Sequence, residues 1–491
     1  MTETQLFEFD NTFATQMEGF FAPARAARCA KPELLFLNED LARELQIDPE
    51  RLRPRAHLIF SGQELPEGAT PIAQAYAGHQ FGGFSPQLGD GRAMMIGEVV
   101  DIHGAHRDIQ LKGSGATVFS RGGDGKASVG PVLREYVIGE AMAALGVSTT
   151  RMLAAVATGE PVYRQDVQPG AVVTRVASSH LRVGSFEYFA ARGDVERIRQ
   201  LAGYAMERHY PEARDAENPY LELLRAVGRA QADLIASWMQ VGFIHGVMNT
   251  DNFTISGETI DYGPCAFMDT FDPGTVFSSI DHAGRYAYAN QPRIGQWNLA
   301  RFADTLVPLI ASATEEAVEL AQGALEDFAA HYEARWLAGM FRKLGLQESQ
   351  KEDVALIGDL FKVLQEDKLD YTMSMRGLSA VARGERASIP SAAEDSASLN
   401  SWIARWSDRL DAQSMSREAI GEDMDAHNPI YIPRNHKVEE ALEAAIAGDL
   451  EPVRTLLQVL QRPFTESAEF ASYALPAAQS FTSCFRTFCG T

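Results

Sequence analysis

Cysteine is scarce in this sequence: Cys29, Cys265, Cys484 and Cys489 are the only four in 491 residues. Their spacing fits neither a disulfide framework nor a zinc ribbon, and a reducing cytoplasm is the expected compartment. Positive charge is also in deficit, with 44 Lys and Arg against 66 Asp and Glu and a formal net charge of −22. Binding to a long phosphate backbone rests on neutralisation by Lys and Arg, so extended nucleic acids are disfavoured while a local basic pocket for a small anion stays allowed. No apolar run is long enough to cross a bilayer. The opening stretch, MTETQLFEFDNTFATQMEGF, has neither a basic region followed by an apolar one nor an Arg-rich presequence.

What is present is a globular composition, 45% hydrophobic and 22% charged, in a chain too long for one compact core. The expected organisation is α+β in three regions. Residues 1–180 form a strand-rich lobe, 181–383 a helical lobe, and 384–491 a linker, a helical extension and a Cys-containing tail. RAMMIGEVVD and HRDIQLKG read as paired strands joined by IHGAH. The period of two then puts Ile109 and Leu111 on one face and Gln110 and Lys112 on the other. A glycine-heavy loop, GSGATVFSRGGDGKASVG, leads into the helix PVLREYVIGEAMAALG, with Pro131 at its start and Gly146 at its end. From about residue 194 helices dominate. One places Leu224, Val227, Leu234, Trp238 and Val241 on a single face and stops at Gly242. Others are expected over about 314–345 and 348–368, and GERASIPSAAEDSASLNS reads as a linker or exposed loop.

The chemistry concentrates in HGVMNTDNFTISGETIDYGP, which begins at His245. A protein kinase carries H-R-D-x-x-x-x-N and then D-F-G. Here His245 and Asn252 keep that spacing and Asp261-Tyr262-Gly263 follows, at a shorter interval than usual. Val247 stands where the kinase keeps its base. Asn252 and Asp261 would suit Mg²⁺, which takes one or two protein oxygens alongside substrate phosphates; the alternative is ordinary turn chemistry. Lys112 on a strand and Glu135 on the following helix match the kinase pair that grips phosphates, although a solvated lysine and a helix-dipole glutamate would look the same. QLGDGRA sets Gly89 and Gly91 around Asp90 with Arg92 behind, either a phosphate-approaching loop or a hairpin turn. Arg175 and Arg182 could offer guanidinium forks to a triphosphate. The kinase order of these elements carries more weight than any one of them.

Taken together, AYAGHQFGGFSPQLGDGRA, LKGSGATVFSRGGDGKA, LREYVIGEAM, HGVMNTDN, DYGPCAFMD, WNLARFA, NPIYIPRNH and the terminal FCGT resemble the selenoprotein O family over nearly the whole chain. The resemblance implies a bilobal, protein-kinase-like fold with a helical C-terminal extension. It implies ATP bound in reverse and AMP, not phosphate, transferred to Ser, Thr or Tyr hydroxyls of proteins with Mg²⁺ or Mn²⁺. With the nucleotide turned round, no base at position 247 is required. By motif, Lys112 and Glu135 form the ion pair, Asn252 and Asp261 hold the metal, and Asp251 is the proton acceptor, though a carboxylate there could also simply orient the metal site. Gly89, Gly91, Arg92, Asp124, Gly125, Arg175 and Arg182 match nucleotide-contacting positions. The sequence has no selenocysteine; Cys489 stands about where some relatives place it, either as a redox-gating thiol with Cys484 and Cys265 as candidate partners or as a reduced, exposed thiol with no task. The rival readings are a uridylyltransferase, a conventional kinase yielding ADP, and a non-catalytic nucleotide-binding scaffold.

Overall fold

A computed structural model describes residues 5–164, 166–348, 350–385 and 396–488. Its N-terminal part is built on an eight-stranded sheet of β1 (Phe21–Pro23), β2 (Glu33–Leu37), β3 (Ile72–Gln74), β4 (Ala93–Val100), β5 (His106–Lys112), β6 (Ala127–Ser128), β7 (Arg151–Tyr163) and β8 (Val167–Ala177). The order is β1-β3-β4-β5-β8-β7-β2, with β6 added beside β8. The pairings are antiparallel, and Ala93 faces Lys112 across the β4–β5 pair. The expected turn closes that pair, where Asp101 Oδ1 accepts from the backbone N–H groups of His103 and Ala105. Alternation then divides the strands between two cores. Met94, Ile96, Ile109, Leu111 and Val172 pack with Leu41, Leu52 and Phe60 of short helices outside the sheet. On the opposite face, Val173, Ala155 and Met95 join the main core beneath helix α1 (Val129–Ala144).

That helix is buried almost all round. One side lies on β7 and β8, and the other meets two helices of the C-terminal extension, Asn435–Ile446 and Glu451–Leu460. Arg134 fastens it there, donating to Glu439 and to the Cys265 carbonyl, each at 2.7 Å.

The remainder is helical. It opens with α2 (Val183–Ala190), α3 (Val195–His209), α4 (Pro219–Val241), α5 (Gln291–Ile310) and α6 (Thr314–Lys343). Asn218 caps α4 by accepting from the Leu221 N–H, and Gly242 ends it at φ +72°. The apolar face expected for this helix is buried throughout. Two expectations need correction. The helix placed at 348–368 is shorter, Asp353–Glu366. The linker ends sooner than composition suggested, because Ser396 caps a helix over Ala397–Asp411 through the Leu399 N–H, and Leu399 and Trp402 are buried on it; residues 386–395 lie outside the described residues. No helix among the described residues is long and apolar enough to cross a membrane.

Candidate active site

Strand β5 delivers Lys112 and helix α1 delivers Glu135, at 2.7 Å from Lys112 Nζ to Glu135 Oε2. The other oxygen of Glu135 accepts from Arg175 Nη1 at 3.1 Å, and Arg175 Nη2 donates to Gln110 Oε1 at 2.6 Å. One buried carboxylate therefore holds two cations from adjacent strands. A second set comes from loops brought together where Phe243–Ile244 pairs with Ala266–Phe267. His245 is buried between these loops, accepting from the Val247 N–H and bonding the Ile260 carbonyl. Tyr262 is buried and bonds the Thr149 hydroxyl. The residue before it, Asp261, takes the left-handed region at φ +71° and reaches Lys112 directly. Burial alone would raise its pKa. The fields of Lys112, Arg92 and Arg175 more than offset that and hold the carboxyl well below its usual range.

These groups open on a cleft of about 570 Å³. All of the residues expected from the sequence line it except Glu135, which sits behind Lys112. Seven arginines and lysines face four aspartates here, the reverse of the balance over the whole chain. Such a site concentrates anions. Gly89 has φ +71°, and a Cβ there would lie 2.3 Å from the Phe119 ring; at Gly125 it would lie 2.1 Å from the Gly115 carbonyl oxygen. Both glycines are thus required for close packing of the loop over 113–125 on the strands. Arg182 is buried with its guanidinium 4.3 Å over the Tyr76 ring, and it donates to the Asp251 carbonyl at 3.1 Å. Asp251 itself is buried, with Oδ2 accepting from Gln80 and Oδ1 without a partner. Burial pushes its carboxyl up to about 6, against the field of Arg182.

The chemistry of the donors fits a hard divalent cation. The Asn252 amide nitrogen donates to the Val247 carbonyl at 3.1 Å, which leaves its oxygen for the cleft. Asp261 lines the same cleft. No group of three or more His, Cys, Asp or Glu that could hold a metal occurs among the described residues. Asn252 and Asp261 would hold Mg²⁺ or Mn²⁺ only with phosphate oxygens and water completing the shell.

Several residues of the site escaped the sequence reading. The hairpin Gly78–Gln80/Gly83–Ser85 folds over Asp251, so closely that a Cβ on Gly78 would meet Oδ1 at 2.7 Å. His79 Nδ1 meets Glu187 Oε1 at 2.5 Å, and Thr250 donates to Glu187 Oε2 at 2.5 Å, so this trio fixes the residue just before Asp251. Asp124 is taken up by Arg164 in a two-pronged ion pair, both bonds 2.9 Å. The signal for the hairpin was the AYAGHQFGGF run, which carried the family likeness without a role for its residues. Of the cysteines, Cys265 is buried and burial pushes its thiol up to about 12, so it supplies no thiolate; Cys484 is exposed, and Cys489 lies outside the described residues.

The family model described as "Protein adenylyltransferase SelO" matches residues 4–461. The chain belongs to the SelO family. It is 57% identical over 486 residues to a Cereibacter sphaeroides protein named "Protein nucleotidyltransferase YdiU", covering 99% of this chain and 100% of that one. A Rhizobium etli protein of the same name is 54% identical over 489 residues, covering 99% of this chain and 97% of the relative. SelO membership accounts for the blocks that the sequence carries in order, including those around Lys112, Asn252 and Asp261.

Proposed function

We propose that this SelO-family chain is a metal-dependent protein adenylyltransferase with a bilobal, kinase-like fold. Its nucleotide lobe would span residues 1–180, its helical lobe 181–383 and its extension 384–491, and it would act in the cytoplasm. ATP lies reversed, with its outer phosphates among Lys112, Arg92, Arg175 and Arg182 and its nucleoside toward Asp124, Gly125 and the loop carrying them. Gly89 and Gly91 keep the strand side of the cleft close to the nucleotide. A Ser, Thr or Tyr hydroxyl of a protein attacks the α-phosphorus. The new bond joins that oxygen to phosphorus, the bond from the α-phosphorus to the bridging oxygen breaks, and pyrophosphate leaves. Asp251 accepts the hydroxyl proton. Mg²⁺ or Mn²⁺ at Asn252 and Asp261 would neutralise phosphate charge. The cationic side chains bind the leaving group, the electrostatic contribution that matters most in such transfers.

The observation that carries this reading is at position 247. Val247 is buried and apolar where a kinase has its base, while Asp251, four residues on, lines the cleft, with Oδ2 accepting from Gln80 and Oδ1 buried without a partner. The test is incubation with Mn²⁺ or Mg²⁺, candidate proteins and ATP labelled at either the α or the γ phosphorus. Label carried to protein from the α position, with pyrophosphate released, is the expected result. Transfer from the γ position alone would replace this reading with a kinase.

A further inference from the structure

The outer side of the hairpin over Asp251 is unlike the rest of this acidic surface. On its second strand Phe84 is 43% exposed and lies tilted against the His79 ring opposite it, with ring centroids 4.8 Å apart. Beneath it Trp297 of α5 meets the His79 ring edge-on at 5.3 Å. Two guanidinium groups lie on that indole, Arg285 at 4.7 Å and Arg301 at 5.3 Å from its centroid. A third, Arg192, stacks on Tyr188 at 3.5 Å and donates to the Pro86 carbonyl beside the hairpin.

Acidic counterparts are few. Asp304 pairs with Arg301 at 3.0 Å. Both oxygens of Asp281 are taken by the backbone N–H groups of Arg285 and Tyr286, and Glu187 is buried against His79 and Thr250. Among the described residues no carboxylate pairs with Arg285 or Arg192. Arg285 Nε and Nη2 are buried without a hydrogen-bond acceptor among the described residues, beneath Gly82 of the hairpin, which has no side chain. In a chain with 66 acidic and 44 basic residues, arginines without a carboxylate partner stacked on half-buried aromatics need a reason.

The patch is also wired to the reacting carboxylate. Tyr286, next to Arg285, donates to Asn249 at 2.7 Å, and Asn249 accepts from the Phe81 N–H at 3.1 Å. Gln80 of the same hairpin donates to Asp251.

We infer that Arg285, Arg192 and Trp297 form a docking subsite for the acceptor protein, selecting a segment with Asp or Glu side chains near the hydroxyl that is modified. Guanidinium groups held by stacking lose little freedom when they meet a carboxylate, and each such contact is charge-assisted. The inference rests on transfer to protein hydroxyls as proposed above. It adds which proteins are chosen.

The experiment uses the full chain, Mn²⁺, α-labelled ATP and synthetic peptides, each with one Tyr, Ser or Thr flanked by Glu, Ala or Lys. Wild type should label Glu-flanked peptides about tenfold faster than Lys-flanked ones, the worth of one good charged contact. Arg285→Glu and Arg192→Glu should bind nucleotide as wild type does, lose that preference and gain on the Lys-flanked peptides. This rescue by charge reversal is something a merely structural role would not give. Equal labelling of all three flanks by wild type, or an unchanged preference in both variants, overturns the subsite while leaving protein adenylylation in place. Absence of α-label in every peptide and every protein offered overturns both.

Discussion

Lys112 and Glu135 meet at 2.7 Å although one ends a strand and the other stands on a helix, and the same ammonium group also reaches Asp261 across the cleft. In the proposed reaction nucleotide phosphates exchange with Asp261 for Lys112, while Glu135 keeps the lysine aimed. Lys112→Ala should lower the rate of AMP transfer by about 10²–10³-fold, the scale for removing one electrostatic contact to developing charge. Single-turnover transfer from α-labelled ATP measures it. Activity within a few-fold of wild type would remove Lys112 from the reaction.

Asp261 presents a different expectation because it places a negative charge in an anion site. Asp261→Asn should leave metal-free ATP binding intact or tighter, since like-charge repulsion is relieved, yet abolish transfer at any Mn²⁺ concentration. Chelation of metal from wild type should reproduce the loss. Calorimetric titration of ATP with and without Mn²⁺ separates the two effects. Weaker metal-free binding in the variant would contradict this account.

Glu187 touches no residue expected at the site from sequence, but it holds Thr250 and His79 at 2.5 Å each. Glu187→Ala should cut kcat by about tenfold to a hundredfold through misplacement of Asp251, with little change in KM for ATP. Glu187→Gln should recover part of the loss because it can still accept from Thr250. Equal damage in both variants, or a change confined to KM, would dissociate Glu187 from Asp251.

Much of this site was legible beforehand, and the boundary is physical. The period of two in β5 correctly set Lys112 opposite Ile109 and Leu111, because a half-buried strand cannot slip by one residue without exposing its core face. The long helix ending at Gly242 followed from its apolar spacing and its left-handed cap. The hairpin over Asp251 was not legible. It joins residues 171 apart, His79 with Thr250 and Gln80 with Asp251, and its strands are too short to carry a pattern. The Asp124–Arg164 pair was hidden for the same reason, being a contact between loops.

Arg434 explains one of the blocks that carried the family likeness. It is fully buried, donating to Asp269 at 2.6 Å and to Asp370 at 2.7 and 3.1 Å, with two further bonds to the Ala474 carbonyl. Arg434→Ala strands two buried carboxylates and should cost about 3–5 kcal/mol of stability. Denaturant unfolding of the variant is the measurement, and a loss below about 1 kcal/mol would mean the carboxylates find other partners.

Lys343 sets a pH dependence. Its ammonium is buried, with one donation to the His427 carbonyl at 3.3 Å, and burial pushes its pKa down to about 7. The unfolded chain binds this proton more tightly, up to its ordinary value of 10.5. The Lys343 contribution to stability therefore rises with pH between about 7 and 10.5, by at most about 1.4 kcal/mol per unit. Lys343→Met should be the more stable protein at pH 7, and its advantage should shrink steadily toward pH 9. A constant difference between the two proteins across that range would show that Lys343 does not change its protonation on folding.

The packing of α1 has a consequence for control. Many protein kinases are silenced by swinging their glutamate-bearing helix outward, which parts the lysine from its glutamate. Here the helix is wedged between the sheet and the Asn435–Ile446 and Glu451–Leu460 helices, and Arg134 bolts it to Glu439. A cleft lined by Gly130, Pro131, Arg134, Leu442 and Ile446 opens beside its first turns, and the ion pair to Glu439 spans it. The Lys112–Glu135 contact is thus set by the C-terminal extension as much as by the sheet that carries the lysine.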